Sequence, residues 1–498
     1  MKASSKFDFI IVGGGLSGLH LSYCFLNDKY FNDYSFLIID KEKSKKEDNF
    51  FSFWEAGNGK WDKILKQRWN KADFYSSNGK VVMDFSEYNY KTLSSSKFKE
   101  YVKRKIKKKK NFKFINDTVL KIREDKNKLV VVGNKKNYQA KHIFDSRLPG
   151  VVHKEIKKHT YLKQHFLGWV IKTDEKKFDK KSFVFMDYRI RDKNHTAFTY
   201  VLPFKKNEAL IEHTYFSKDE CDREVYEEYI REYLSKYYNT INYKIIKSEY
   251  GVIPMTSYPF YKESTKNITK IGTAGGWVKP STGYSFKSCE KYSLKILKNI
   301  KEGKKIGIIP EKKYYFLDKI LLGVLSQYNH LGETVFYKMI KRNPTKRVLE
   351  FLNEESKLSD ILKIIISMRS IYFVRIFIKS LYIQNNIGVS SIKFPKSRKF
   401  WFPNNKRIPK LPIIIVKRKR DFVVISRSLI SINWETNIEL KKIATISEDP
   451  KTTDKVIGKY IINSPIKPGQ APSGTKAAMV VAVETIIGRA TSPIPNFA

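Results

Sequence analysis

The run "ALIEHTYF" (209–216) places an acid, Glu212, inside an otherwise apolar and aromatic segment. Read as a strand, it sets Leu210, Glu212, Thr214 and Phe216 on one face and Ala209, Ile211, His213 and Tyr215 on the other. Glutamate is depleted in strands, and a carboxylate facing a protein interior is costly unless something compensates. Two kinds of compensation are open at Glu212. One is a Lys or Arg met across a domain interface. The other is desolvation, which lifts a carboxyl from its ordinary value near about 4.3 by up to roughly 3–5 units and leaves it able to donate a proton at neutral pH. A second acid, Asp187 in "FMDYR", has Arg189 two residues on and on the same face of a strand. That spacing predicts an ion pair; the alternative is that Asp187 tunes Glu212 or assists a deprotonation.

The other chemical signature is glycine spacing. "FDFIIVGGGLSGLHLSYCFL" reads as a buried strand (Phe7–Val12), a turn and an apolar helix, with Gly13-x-Gly15-x-x-Gly18 between them. Gly13 permits the tight turn, Gly15 lets the backbone approach a pyrophosphate, and Gly18 lets the helix pack closely on the strand. The helix N-terminus offers free N–H groups and a positive dipole to phosphates. A second strand, "YSFLIID", ends at Asp40, at the distance from the last glycine where a carboxylate accepts hydrogen bonds from a ribose. Strand, glycines, helix, strand and terminal acid in that order predict a dinucleotide site. Further on, "NITKIGTAGGWVKPSTGYSF" (267–286) follows a short strand with Gly272, Gly275 and Gly276, then Pro280 and Gly283. A late glycine segment of this kind is what flavoproteins use to close over the ribityl chain and isoalloxazine ring, so FAD is expected rather than a nicotinamide alone.

Between and around these cradles stand "DSRLPG" (145–150), "KQHFLGWVI" (163–171), "FVFMDYR" (183–189), "FTYVLPF" (198–204), "ALIEHTYF", "YGVIPM" (250–255) and "GGWVKPSTGYSF" (275–286). In this order and spacing the set resembles the lycopene cyclase family of carotenoid biosynthesis, the flavoprotein type of bacteria and plants. The resemblance runs from about residue 6 to about residue 380. It implies an α/β fold, a Rossmann-like FAD-binding domain (6–150 with 250–300) with an inserted β-sheet substrate domain (151–249). C-terminal helices (301–384) and a basic tail (385–498) would follow. It implies FAD held at Gly13, Gly15, Gly18 and Asp40 and at Gly272, Gly275, Gly276 and Gly283. The flavin would work in its reduced form, with reduced nicotinamide as an external reductant. The substrate would be lycopene or a related acyclic carotene, cyclised to β-ionone rings with no net redox change. Glu212 would be the general acid, with Asp187 the second acid of interest. Many flavin hydroxylases carry an Asp directly after the late glycine; here that place is Thr273, which fits the cyclases and removes one carboxylate contact to the ribityl chain. Trp169, Tyr188, Phe198, Tyr200, Trp277 and Tyr284 are candidates to line a polyene tunnel, where their π-faces would stabilise a carbocation.

Composition sets the surroundings. The chain has 498 residues and a net charge of +46, with Lys dominating, which points to polyanionic partners or to a codon preference for Lys. Carotenes dissolve in bilayers, and runs such as "KRKIKKKK" (103–110) and "KRKR" (417–420) suit peripheral association with an anionic membrane surface. The opening residues hold too short an apolar run for a signal peptide. The three cysteines are far apart, as expected of a reducing, cytoplasmic setting at the inner face of the cell membrane. The stretch 361–383 is apolar but carries four cations, so it is expected as a core helix or an interfacial one. Two rival functions remain at this level: a carotenoid or isoprenoid flavin oxidoreductase, and a basic nucleotide- or nucleic-acid-binding protein. The second is weakened by the lack of helix-turn-helix, zinc-finger and RNA-recognition signatures.

Overall fold

In this computed structural model, which describes residues 5–41, 48–125, 128–148, 158–192, 194–384 and four short strands beyond them, strand β1 (Ser5–Val12) runs into the glycine turn. Helix α1 (Leu16–Leu26) follows, and β2 (Phe36–Asp40) returns beside β1. Next come β3 (Phe50–Ala56), β4 (Gln67–Trp69), β5 (Lys71–Ser76), β6 (Gly79–Asp84) and β7 (Tyr88–Ser94). After helix α2 (Ser95–Lys107) the chain forms β8 (Phe112–Asn116), β9 (Val119–Asp125), β10 (Lys128–Gly133) and β11 (Asn137–Asp145). The middle of the chain supplies β12 (Tyr161–Thr173), β13 (Phe183–Asp187), β14 (Thr196–Lys205) and β15 (Glu208–Ser217). Helix α3 (Arg223–Tyr238), β16 (Tyr243–Thr256) and the short β17 (Ile268–Lys270) lead to helices α4 (Phe286–Lys301), α5 (Lys312–Gln327), α6 (Gly332–Lys341), α7 (Thr345–Leu352), α8 (Leu358–Ser367) and α9 (Ile371–Gln384).

Two sheets organise these elements. The first has the order β8-β2-β1-β11-β10-β9, with β17 also on β11. Its β8, β2, β1, β11 and β17 are parallel, and β10 and β9 are antiparallel additions. Leu37, Ile38 and Ile39 are buried on both faces, which explains why "FLII" shows no alternation: a parallel sheet covered on both sides needs apolar residues throughout. Helix α2 covers one face through Phe98, Val102 and Ile106, spaced four apart, and leaves Lys97, Lys105 and Lys107 to solvent. The second sheet has the order β16-β12-β15-β14-β13-β5-β6 and is antiparallel except for β13 on β5. Two of its strands, β5 and β6, come from residues 71–84, ahead of the 151–249 segment that supplies most of it. A third, smaller sheet, β3-β7-β4, completes the architecture.

The middle strands of the second sheet, β13 to β15, are buried on both sides, whereas the edge strands β16 and β6 are partly exposed. Leu210 and Phe216 enter a core shared with α5 to α9, whereas Ile211 and Tyr215 pack against Tyr226, Ile230 and Tyr233 of α3. The two faces of "ALIEHTYF" are therefore both interior, and Glu212 sits on the face turned to the C-terminal helices. The stretch 361–383, expected as one helix, folds as two. Helices α8 and α9 are parted at Met368–Ser370, and Ile361, Ile364 and Ile376 turn into the same core. Among the described residues no helix is long and apolar enough to cross a membrane.

Residues 381–498 form a unit of their own. Beyond α9 its described residues are two short antiparallel pairs, Ile414–Lys417 with Phe422–Ile425 and Ile432–Asn433 with Asn437–Ile438. The rest of that tail lies outside the described residues, including most of "KRKR". So do Pro149 and Gly150 of "DSRLPG".

The late glycine segment is fastened to the helices by a buried cation. Lys279 Nζ lies 3.0 Å from Asp318 of α5 and 3.3 Å from Glu354, with only 4% of its side chain exposed. Removing one partner of a buried ion pair strands the other charges. Lys279→Met is expected to cost about 3–5 kcal/mol, read as a lower unfolding midpoint in denaturant.

Candidate functional site

The N-terminal glycines do what their spacing predicts. Gly13 adopts φ +105°, and a Cβ on Gly18 would lie 2.0 Å from the Gly13 carbonyl oxygen, so the helix can meet the strand only without a side chain there. Gly15 differs. It caps the N-terminus of α1, and a Cβ on it would meet no protein atom within 4 Å. Packing therefore does not demand a glycine at 15, whereas a ligand drawn against the helix N-terminus does. Asp40 stands at the end of β2 as expected, but it is already engaged. Its Oδ1 accepts the Gly14 N–H at 3.0 Å and its Oδ2 is paired with Lys99, so a ribose would share this carboxylate with a lysine.

The late segment closes on the first cradle. Gly272 has φ +61°, and a Cβ there would lie 2.5 Å from the Ser17 hydroxyl at the start of α1. Gly275 backs onto the Lys270 carbonyl, Gly276 ends the short turn at φ +73°, and Gly283 abuts the side-chain carbonyl of Gln164. Gln164 Oε1 and Thr282 Oγ1 are buried, lack a hydrogen-bond partner, and line the same space as Ser17, Gly272 and Thr273. Unpaired buried polar atoms are rare in folded proteins, and here they face the place where a flavin would lie. The residues present thus fit a flavin dinucleotide.

That space is a cavity of about 630 Å³, and Glu212 is in its wall. β15 carries Glu212 opposite Tyr200 of β14 on one side and Gly168 of β12 on the other. Glu212 is half-buried, but the surface it exposes opens onto the cavity, and protein surrounds it on all sides. Its Oε1 accepts a hydrogen bond from the Thr214 hydroxyl at 2.9 Å. Among the described residues no Lys or Arg forms an ion pair with it, so the interface-salt-bridge reading of this acid does not hold. Burial pushes its carboxyl above the ordinary range, opposed only by the Thr214 hydroxyl. The surrounding wall is aromatic: Phe185, Phe198, Tyr200, Phe216 and Tyr284 line the cavity, and Tyr284 stands edge-on to Trp54 at 4.6 Å. Of the six aromatics singled out from the sequence, Phe198, Tyr200 and Tyr284 line this cavity. Trp169 packs on the α3 face of the sheet, Trp277 in the core beneath α4, and Tyr188 in the core shared with the C-terminal helices.

Asp187 is placed elsewhere. It is fully buried and held bidentately by Arg189, with Nε 3.0 Å from both carboxylate oxygens, and it accepts the Tyr233 hydroxyl of α3 at 2.8 Å. The Arg189 guanidinium is sandwiched between the rings of Tyr75 and Tyr237, 3.8 Å from each. Tyr233 belongs to the opposite face of the sheet from Glu212, so the structure does not bring the two acids together. The acid it does bring close is one the sequence reading passed over. Glu249 of β16 is also paired in register with Gly168, is 5% exposed, and accepts the Phe50 N–H at 2.9 Å. Burial and the charge of Glu212 both push its carboxyl up. Flanked in sequence by Lys247, Ser248 and Tyr250, Glu249 shows no contrast of polarity; only the strand register reveals it.

Comparison with known proteins adds the family. No curated protein matches the chain in sequence. In structure it is similar to a geranylgeranyl bacteriochlorophyll reductase-like protein of Thermoplasma acidophilum, with a TM-score of 0.47, 12% identity, and 73% of this chain and 96% of that one covered. It is also similar to a flavoprotein/dehydrogenase of Cytophaga hutchinsonii, with a TM-score of 0.49, 11% identity, and 76% and 99% covered. A tryptophan halogenase of Shewanella frigidimarina gives 0.44, 10% identity, and 77% and 95% covered. Residues 8–376, well over half of the sequence, match the family described as lycopene cyclase protein, and the chain belongs to that family.

Proposed function

We propose that the protein is a carotene cyclase that converts the ψ-end groups of lycopene, or a related acyclic carotene, to β-ionone rings, with Glu212 as the general acid. The observation that carries this reading is the placement of Glu212: an acid without a counter-cation, in the aromatic wall of a cavity that also opens onto both glycine cradles. Glu212 donates its proton to the terminal C=C, giving a tertiary carbocation. The neighbouring double bond attacks that cation and closes the ring, and a ring proton returns to the Glu212 carboxylate. The aromatic faces of Phe198, Tyr200 and Tyr284 lie where they stabilise positive charge. FAD would be held by Gly13, Gly15 and Gly18 and by the loop from Gly272 to Gly283. When bound and reduced it would supply further electrostatic stabilisation of the cation.

The substrate's solubility supports a membrane-surface enzyme. We assign the lysine face of α2 as a contact for anionic headgroups at the inner face of the cell membrane, each suitably placed cation contributing about 1 kcal/mol. Retention on vesicles containing anionic lipid is expected to exceed that on neutral vesicles and to fall as salt is raised. Equal binding to both at low salt would remove this assignment.

Two substitutions test the site. Glu212→Gln keeps shape and removes the proton; it is expected to retain flavin while cyclisation falls by about 10²–10⁴-fold, the usual span of general acid catalysis. Pigment analysis of lycopene-accumulating cells producing the full chain reads the outcome. Products heavier by one oxygen or two hydrogens would point to an oxidoreductase instead. Because the acid must be protonated to act, the rate is full while Glu212 holds its proton and is lost as pH rises through its elevated value. Gly15→Val is expected to abolish flavin retention on gel filtration while shifting the melting temperature by no more than about 4 °C. Gly18→Val, which would clash with the Gly13 carbonyl, is expected to lose both.

A further inference from the structure

We propose that Glu212 and Glu249 form one carboxylate pair that holds a single shared proton, with Glu249 the positioning residue that keeps Glu212 loaded. The role of this pair in turnover rests on the cyclase reading above; its existence does not.

The geometry begins at Gly168. β12 lies between β15 and β16, and Gly168 is the register partner of both Glu212 and Glu249. Each acid is thus one strand spacing, about 4.8 Å, from the same residue. The glycine itself puts no side chain between them, and the space above it is shared by Leu210 Cδ1, 3.0 Å from where a Cβ would stand, and the Glu249 side chain. A Cβ there would lie 3.1 Å from Cγ and 3.2 Å from Oε1 of Glu249, so the Glu249 side chain leans over Gly168 towards β15. Its other oxygen, Oε2, is fixed by the Phe50 N–H. Glu212 has only the neutral Thr214 hydroxyl for a partner, and burial raises both carboxyls.

No cation intervenes. The groups facing Glu212 are phenols: Tyr90 from β7, Tyr200 from β14 and Tyr284 from the late segment, all held protonated by burial. The groups facing Glu249 are Lys247 and Asp48, which pair with each other at 3.2 Å. Two carboxylates so placed do not both ionise readily, and the first proton lost belongs to the pair rather than to either residue. In the proposed cycle an O–H bond of Glu212 breaks as a C–H bond forms at the alkene. The pair then carries two negative charges while the ring carries one positive charge. The proton lost from the ring restores the O–H bond, so no co-reactant is consumed.

The test is an infrared titration of the protonated-carboxyl band in the full chain with flavin bound, using Glu249→Gln and Glu212→Gln. Glutamine at 249 can still accept the Phe50 N–H but cannot carry charge. The two midpoints of the unsubstituted protein belong to the pair, so their sum must stand above the sum of the two variants' single midpoints by one coupling shift. We expect that shift to be about one pH unit or more, a tenfold or greater loss of proton affinity. The Glu249→Gln enzyme is then expected to lose its cyclisation rate at correspondingly lower pH with an unchanged KM for carotene. Equal sums would overturn the pair. If Glu249→Gln does not fold, Glu249→Leu supplies the second single-acid midpoint. A raised sum in a chain that fails to cyclise lycopene would leave the pair standing and remove the cyclase reading.

Discussion

Everything at this site depends on keeping a carboxyl dry and without a cation. The chain carries 96 Lys and Arg residues against 50 acids, so an unpaired acid in its interior is not the default outcome. Elsewhere the fold neutralises buried charges by pairing them. Lys91 meets Glu55 and Asp62, Lys279 meets Asp318 and Glu354, and Asp187 meets Arg189 and Tyr233. Among the described residues neither Glu212 nor Glu249 forms an ion pair, and Lys247, which faces Glu249, is paired with Asp48. Two acids on the same sheet, Asp187 and Glu212, are thereby given opposite environments by facing opposite sides. One is held by a guanidinium and a phenol; the other has no cation and is pushed toward its neutral form by burial.

The dry wall requires a sheet covered on both faces, and the covering explains much of the architecture. Helix α3 closes the Asp187 side, and helices α5 to α9 close the Glu212 side, so β15 can be apolar on alternate and intervening positions alike. The cavity survives between the sheet and those helices because the late glycine segment enters there. Its glycines meet Ser17 on the dinucleotide side and Gln164 on the sheet side, joining the two sheets' chemistry in one space. Lys279, buried in the same segment, ties that loop to the helices that roof the cavity. Flavin cradle, acid and roof are thus held by one short stretch of chain.

How much of this was legible in the sequence follows from the range of the interactions. The first cradle was, because its strand, glycines, helix and terminal acid are local, and Gly18 answers a steric demand five residues away. The face assignment of "ALIEHTYF" was also legible, since period two fixes it whatever the partners are. Asp187 could be placed beside Arg189 from spacing, but not on the far side of the sheet from Glu212. That depended on the bulge between Val184 and Asp187 and on the packing of α3. The break at Met368–Ser370 was hidden because the apolar pattern continues across it. Glu249 was invisible because its meaning lies in the register of two non-adjacent strands on a shared glycine. Nor could residues 71–84 be assigned to the second sheet by reading along the chain, since β5 joins it through β13, more than a hundred residues later.

The same comparison of ranges decides how so basic a protein keeps an acid neutral. A net charge of +46 creates a field that favours the anion at every carboxyl. Most of those lysines are solvated, and at physiological salt their influence decays over about 8 Å. Desolvation acts on the carboxyl itself and is not screened, and a neighbouring buried acid adds to it in the same direction. At Glu212 the local effects therefore oppose the global one and prevail. The lysine-rich exterior therefore does not discharge the acid inside.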